Sequence, residues 1–89
     1  MKPIRFSRTF EKNFKKRIKP STKLCKQFDD CYEAFAQGQR NYPLNDHALR
    51  GKLKGRRAFS VGNDIRVIYE ETDEAYLFLD IGSHNQVYN

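Results

Sequence analysis

The fold is decided by the stretch Arg56-Arg57-Ala58-Phe59-Ser60-Val61-Gly62-Asn63-Asp64-Ile65-Arg66-Val67-Ile68-Tyr69. Apolar residues alternate with other residues on both sides of a Gly-Asn pair, and this pattern is typical of two β-strands joined by a turn. Another alternating run follows the turn residues 71–74. We therefore predict three consecutive antiparallel strands, at about 56–61, 64–71 and 75–82.

The register of the first hairpin decides which side chains share a face. A three-residue loop pairs Ser60 with Asp64 and Ala58 with Arg66. A two-residue turn would instead pair Phe59 with Arg66. We prefer the first register because it puts the polar side chains on one face and leaves an apolar face of Phe59, Ile65, Val67 and Tyr69.

Two amphipathic helices precede the sheet. The first follows the capping residue Ser7 and has an apolar stripe at four-residue spacing, formed by Phe10, Phe14 and Ile18. The second begins after Pro20-Ser21, ends at Gly38 and carries the stripe Leu24, Phe28, Cys31 and Phe35. Together with a short N-terminal strand at 3–6, these helices predict one α+β domain over 1–89, in which a helical hairpin packs on a twisted antiparallel sheet.

Composition restricts the partners and the compartment. The 89 residues include 17 Lys and Arg against 11 Asp and Glu, a net charge of +6, which suits a polyanion or an acidic protein partner. Cys25 and Cys31 lie about 9 Å apart along one predicted helix, too far for a disulfide, so we expect reduced thiols. The sequence shows no signal peptide and no apolar run of membrane length. We therefore predict a cytoplasmic protein without a membrane partner.

The candidate catalytic residues gather around the polar face of the sheet. Asp64 and Arg66 lie on it, His84 follows the last strand, and His47 lies in the loop before the hairpin. Cleaving a phosphodiester without a metal requires a base, an acid and a cation beside the phosphate, and imidazole and guanidinium groups are suited to these tasks. We predict no metal and no other cofactor. On the residues alone, the Asp64/Arg66 pair can equally be a surface ion pair worth under about 1 kcal/mol.

A basic strip precedes the hairpin, and we predict that it holds an RNA backbone rather than taking part in chemistry. Its members are Lys52, Lys54, Arg56 and Arg57. Ser60 lies on the polar face as a further RNA contact. The alternative is that the strip is ordinary solvated surface.

The segment Asp46-His47-Ala48-Leu49-Arg50-Gly51-Lys52-Leu53-Lys54-Gly55-Arg56-Arg57, followed by Asp64, Ile68-Tyr69 and Gly82-Ser83-His84, resembles the YafQ branch of the RelE/ParE toxin superfamily. The resemblance spans the chain and is strongest over 46–88. It implies a RelE-like fold and the toxin of a type II toxin–antitoxin pair. The implied activity is that of a metal-independent, ribosome-dependent mRNA endonuclease, which leaves 2′,3′-cyclic phosphate and 5′-hydroxyl ends. The implied partners are a cognate antitoxin, mRNA and the ribosome.

Residue by residue, the resemblance assigns catalytic roles to His47, Asp64 and His84, and it assigns stacking on a substrate base to Tyr88. Ser60 departs from the YafQ pattern because that branch has a second histidine there. Arg66 also departs, and it resembles the phosphate-binding arginine of the RelE and YoeB branches. We expect His84 to be the general acid, either His47 or Asp64 to be the general base, and Arg66 to stabilise the transition state.

Two other functions stay open at this point. One is a non-catalytic toxin like those of the ParE branch, which inhibits DNA gyrase, and the other is a basic RNA-binding module without activity. His47 and His84 together favour the nuclease, because the ParE branch is not expected to retain both.

Overall fold

The computed structural model describes residues 2–88 and has the predicted α+β architecture. Its elements, in chain order, are β1 (Ile4–Phe6), α1 (Arg8–Arg17), α2 (Thr22–Ala36), β2 (His47–Ala48), β3 (Arg57–Val61), β4 (Ile65–Glu71), β5 (Tyr76–Ser83) and α3 (His84–Tyr88). A single 3₁₀ turn at Gly51–Leu53 connects β2 and β3. The three main strands lie within a residue of their predicted bounds.

The five strands form one sheet in the order β1-β5-β4-β3-β2. The pairs from β3 to β5 are antiparallel, as predicted. The segment His47–Ala48, predicted as loop, forms β2 and pairs antiparallel with β3, whereas β1 runs parallel to β5 and makes the sheet mixed. No tight turn joins β1 to β5, so nothing in the connection requires them to be antiparallel. The pairing continues at Ser7, whose N–H donates to the carbonyl oxygen of Phe78 at 2.9 Å.

The β3–β4 hairpin has neither of the two predicted registers. Ser60 pairs with Arg66 and Val61 pairs with Ile65, so the loop consists of residues 62–64. Gly62 reverses the chain with φ +62°, a conformation that glycine adopts without steric cost. The loop therefore lies one residue later than predicted.

The shift in register preserves the predicted faces but moves one candidate site residue. Each residue of β3 pairs with a residue two positions later in β4 than predicted. Since side chains alternate with a period of two, each one stays on its predicted face of the sheet. Phe59, Val67 and Tyr69 thus point into the main core, as predicted. Asp64, which was predicted to begin a strand, lies exposed in the loop.

The main core lies between the helices and one face of the sheet. Phe35 of α2 is at its centre, stacked on Phe59 with 5.0 Å between ring centroids and edge-on to Tyr69 at 4.9 Å. The predicted caps form, since Ser7 Oγ accepts the N–H of Phe10 at 3.0 Å and Ser21 Oγ accepts that of Leu24 at 3.2 Å. The two cysteines are free, as predicted.

The opposite face of the sheet is only partly covered. Ala58 and Ile68 form a small buried cluster there with Val87 of α3, and Leu49 and Tyr88 pack against it. The exposed part of this face is where the candidate site lies. Among the helices of residues 2–88, none is long and apolar enough to cross a membrane.

Candidate active site

The short helix α3 presents His84, and a reciprocal pair of hydrogen bonds begins it. Ser83 Oγ accepts the N–H of Gln86 at 3.3 Å, while the N–H of Ser83 donates to Gln86 Oε1 at 2.8 Å. This arrangement is a capping box. Sequence reasoning missed the helix, although Ser83-His84-Asn85-Gln86 has the Ser-x-x-Gln pattern that predicts one.

Gly82, near the end of β5, lies under the side chains of Arg17 and Gln86. A β-carbon at this position would lie 2.8 Å from Gln86 Oε1, 3.1 Å from Gln86 Cβ and 2.7 Å from Arg17 Nη1. Arg17 is itself held to the strand, since its Nη1 donates to the carbonyl oxygen of Ile81 at 3.0 Å. A larger residue at this position would therefore require Arg17 and Gln86 to shift.

A hollow of about 490 Å³ brings together four of the predicted site residues. His47 enters it from β2, Arg66 from β4, and His84 and Tyr88 from α3. The rest of its lining is Leu49, Arg50 and Leu53. The lining thus provides two imidazoles, two guanidinium groups and a phenol, together with two leucine side chains.

Asp64 lies on the other side of Arg66 and His84. It lines a neighbouring hollow of about 350 Å³ that contains Arg66 and His84 but not His47. Asn63, Ser83 and Asn85 complete that lining. The two candidate bases therefore stand in different hollows, which share Arg66 and His84.

The hydrogen bond of His47 determines which ring nitrogen is available. Its Nδ1 lies 2.9 Å from the carbonyl oxygen of Asn45. A carbonyl can only accept, so in the neutral ring Nδ1 carries the hydrogen and Nε2 presents a lone pair. This tautomer suits a general base.

Arg66 is anchored at one nitrogen and free to bind at others. Its Nη1 donates to the carbonyl oxygens of Asn63 at 3.1 Å and Ile65 at 3.0 Å. Its partners across the sheet are Ser60 and Gly82. A guanidinium group has five N–H donors, so several can bind a phosphate.

Tyr88 lies one helical turn after His84 and shares the hollow with it. Burial raises the pKa of the Tyr88 phenol above its ordinary value, while the nearby positive charge of Arg66 acts in the opposite direction. The phenol is therefore neutral around neutral pH. The uncharged ring is suited to stacking on a base.

The predicted RNA-binding residues divide into two groups. Lys52, Lys54 and Arg56 are exposed, as a backbone-binding strip requires. Arg57 instead donates from Nε to Asp46 Oδ1 at 2.7 Å. Ser60 is only 8% exposed and lies under the polar face. Sequence reasoning also overlooked Asp46, whose side chain is fully buried.

Among residues 2–88, no three His, Cys, Asp or Glu side chains come together as a metal-binding group.

Comparison with known sequences matches the whole length of the chain to one family. The family profile described as "Bacterial toxin of type II toxin-antitoxin system, YafQ" matches residues 2–89. No curated protein sequence matches the chain significantly.

Solved structures share the fold over entire chains. The crystal structure of YafQ from E. coli strain BL21(DE3) is similar with a TM-score of 0.82 at 23% identity, and 100% of both chains is covered. A chain of the E. coli DinJ–YafQ complex has a TM-score of 0.81 at 24% identity, again over 100% of both chains. A metal-bound toxin from Helicobacter pylori has a TM-score of 0.80 at 26% identity, over 99% of this chain and 100% of that chain.

Proposed function

Because this chain belongs to the YafQ family of bacterial toxins from type II toxin–antitoxin systems, we propose that it is an mRNA endonuclease that acts on the ribosome without a metal. One observation carries the proposal: His47, Arg66, His84 and Tyr88 come from three separate elements and line one hollow. That set contains a base, an acid, a cation for phosphate and a ring for stacking.

The proposed reaction is an attack of the 2′-hydroxyl on the adjacent phosphorus. His47 Nε2 removes the hydroxyl proton, the new P–O bond closes a 2′,3′-cyclic phosphate, and the bond to the 5′-oxygen breaks. His84 gives a proton to that leaving oxygen, which becomes a 5′-hydroxyl. Arg66 donates hydrogen bonds to the phosphate oxygens, whose negative charge is greatest in the transition state.

Substrate binding is assigned to groups around the hollow. Tyr88 stacks on a base, and the exposed Lys52, Lys54 and Arg56 bind backbone phosphates. Since the substrate is ribosome-bound mRNA, the proposed place of action is the cytoplasm.

The test is single-turnover cleavage of mRNA on purified ribosomes, with the ends of the products analysed. We expect 2′,3′-cyclic phosphate and 5′-hydroxyl ends, and we expect an unchanged rate from protein that is treated with EDTA and separated from it before mixing with the ribosomes. Loss of cleavage after this treatment would refute the metal-independent mechanism. Ribosome or RNA binding without cleavage would favour the RNA-binding module, and inhibition of DNA gyrase would favour a ParE-like toxin.

We also propose that an antitoxin protein binds this chain, since the E. coli YafQ relative occurs in a complex with DinJ. The candidate binding site for the antitoxin is an aromatic groove of about 650 Å³ between α1 and α2. Phe6 lies at the groove and is 41% exposed, an unusual exposure for a large apolar side chain. Lys15 and Lys19 line it together with Glu11 and Asp29, so it offers charges of both signs to a partner. The exposed edge strand β1 adjoins the same region.

Co-expression with the neighbouring reading frame tests this partner. We expect a stable complex and relief of growth arrest, and we expect Phe6→Asp to weaken the complex. Tyr42→Asp is the matched control, because Tyr42 is 86% exposed and lies outside the groove. If no neighbouring product binds, the antitoxin proposal fails.

A further inference from the structure

Asp46 carries a buried carboxylate that the proposed mechanism does not use. Its side chain is 0% exposed although it belongs to the polar loop between α2 and β2. Arg57 Nε donates to Oδ1 at 2.7 Å, and the Tyr69 hydroxyl donates to Oδ2. Arg40 Nε lies 4.0 Å from Oδ2. A carboxylate this deep is stable only with such partners.

The partners of Asp46 are themselves firmly held. Arg57 on β3 and Tyr69 on β4 are directly opposite each other in the sheet. Arg40 lies with its guanidinium carbon 3.7 Å from the centroid of the Phe35 ring, and its Nη1 donates to the carbonyl oxygen of Phe35 at 2.9 Å. Asp46 thus ties the loop to two central strands and to the end of α2.

The buried carboxylate is the residue immediately before His47. The N–H of Asp46 donates to the carbonyl oxygen of Arg40 at 2.9 Å, and the buried Leu44 accepts the N–H of Ser60 at 2.7 Å. His47 then pairs with Ala58 in the two-residue strand β2. A strand this short has little stability of its own, so the position of His47 depends on the anchor beside it.

We propose that Asp46 is a positioning residue for His47, held in place by Arg57 and Tyr69. The inference rests on the proposed function, because it assigns the position of His47 a role in cleavage. Asp46 does not act through the imidazole as the aspartate of a catalytic triad does. His47 Nδ1 bonds to Asn45 instead, so Asp46 acts through the backbone of the loop. Arg57 accordingly serves this anchor and not the RNA backbone.

Asp46→Asn tests the anchor, because it removes the charge while keeping the shape and one acceptor oxygen. We expect single-turnover cleavage to fall about 10²-fold from misplacement of His47, with ribosome binding unchanged. Asp30→Asn is the matched control, since Asp30 is an exposed aspartate on α2 whose ion-pair partner Lys26 is also exposed. We expect that variant to cleave like the wild type.

A spectroscopic readout separates positioning from general stability. Imidazole ¹⁵N shifts report the tautomer of each histidine, and we expect Asp46→Asn to change those of His47 while leaving His84 as an internal reference. Tyr69→Phe removes one donor and keeps the ion pair, so we expect a smaller change in the same direction. If Asp46→Asn does not fold, this second variant carries the test. Unchanged His47 shifts in the variants that fold would overturn the proposal.

A separate substitution tests the role of Arg57. We expect Arg57→Gln to reproduce the Asp46→Asn effect on His47 and to leave the salt dependence of RNA binding unchanged. If Arg57→Gln instead reduces the salt dependence of RNA binding as much as Lys52→Ala does, Arg57 belongs to the RNA-binding strip and its assignment to the anchor is wrong. The imidazole spectra can be measured whether or not the protein cleaves RNA. If the wild type does not cleave, the proposed nuclease function is wrong, and the spectra still test whether Asp46 positions His47.

Discussion

The rings of His84 and Tyr88 lie with their centroids 4.5 Å apart and their planes at 61°. They meet because the two residues are four apart on α3, which places them on the same side of the helix. The short helix therefore holds the candidate general acid and the candidate stacking ring in one unit. The two residues are expected to contribute differently to activity.

His84→Ala should lower single-turnover cleavage by about 10²–10⁴-fold, the usual contribution of a general acid. Ribosome binding should stay nearly intact, because the substitution removes no charge from the basic strip. Quench-flow measurement of cleavage on ribosomes, beside an equilibrium binding assay, checks both. Full activity of this variant would remove His84 from the mechanism.

Substitutions of Tyr88 test its proposed stacking on a substrate base. Tyr88→Ala should weaken substrate binding by about 1–3 kcal/mol, the value of one stacked base. Tyr88→Phe should behave like the wild type, because only the face of the ring is used. Tyr42→Ala is the control, since Tyr42 is 86% exposed and outside the hollow.

His47 and Asp64 can be separated as candidates for the general base. His47→Ala should lower cleavage about 10²–10⁴-fold, because His47 lines the same hollow as Arg66 and its Nδ1 contact leaves Nε2 as the candidate base. Asp64→Ala should cost less, because Asp64 lies in the exposed loop of the neighbouring hollow. Parallel single-turnover rates decide the order. A larger loss in the aspartate variant would assign the base to Asp64.

Arg66→Ala should lower cleavage about 10²–10³-fold, comparable to loss of one preorganised donor to a developing charge. Arg66→Lys should retain part of the rate, because it keeps the charge but loses the forked donors. Arg8→Ala, an exposed arginine of α1, is the control. Activity that is indifferent to both substitutions would mean that Arg66 only braces the hairpin loop through the carbonyls of Asn63 and Ile65.

The exposed strip should appear in the salt dependence of binding. The double substitution Lys52→Ala with Lys54→Ala should flatten the plot of log K against log salt by about 0.7 for each lysine that contacts a phosphate of single-stranded RNA. Lys23→Ala with Lys26→Ala on the exposed side of α2 is the matched control. Equal slopes for the wild type and the strip variant would mean that these lysines are only solvated.

Tyr69 should make stability fall at high pH. Burial, followed by the hydrogen bond to Asp46, raises the pKa of the Tyr69 phenol above its ordinary value of 10.0. Tyr69 therefore makes its full contribution to the free energy of unfolding below about pH 10. That contribution is lost as the pH rises through the pKa of Tyr69 in the folded protein, because the phenol of the unfolded chain loses its proton at a lower pH. Urea midpoints measured up to about pH 11 should decline more steeply for the wild type than for Tyr69→Phe. Tyr42→Phe should follow the wild type, and coincident profiles for all three proteins would contradict the assignment.

Local sequence information was sufficient for α1, α2, β1 and the three main strands, but β2 and α3 were not predicted. The four-residue spacing of Phe10, Phe14 and Ile18 and the caps at Ser7 and Ser21 depend on neighbours in the chain, and the structure confirms them. The faces of the hairpin were also predictable, because alternation has period two and survives a shift of two residues. Gly82 and the capping box at Ser83 and Gln86 show that even α3 left a local signal.

Contacts between distant residues decided the rest. In the observed hairpin register Val61 and Ile65 are both buried, and Gln27 of α2 packs against the Gly62 turn, where an added β-carbon would lie 3.1 Å from its Oε1. Alternation along a strand cannot choose between registers that keep the same faces.

By itself, the sequence determined the fold class, the resemblance to the toxin family and the types of residue available for phosphate chemistry. Only the tertiary structure decided that His47 and Asp64 occupy different hollows, and that Arg57 binds a buried Asp46 instead of lying free in the basic strip. Asp46 meets Arg57 and Tyr69 across 11 and 23 residues of chain. Its burial depends on where the sheet brings those donors, and no local pattern of charge or period contains that information.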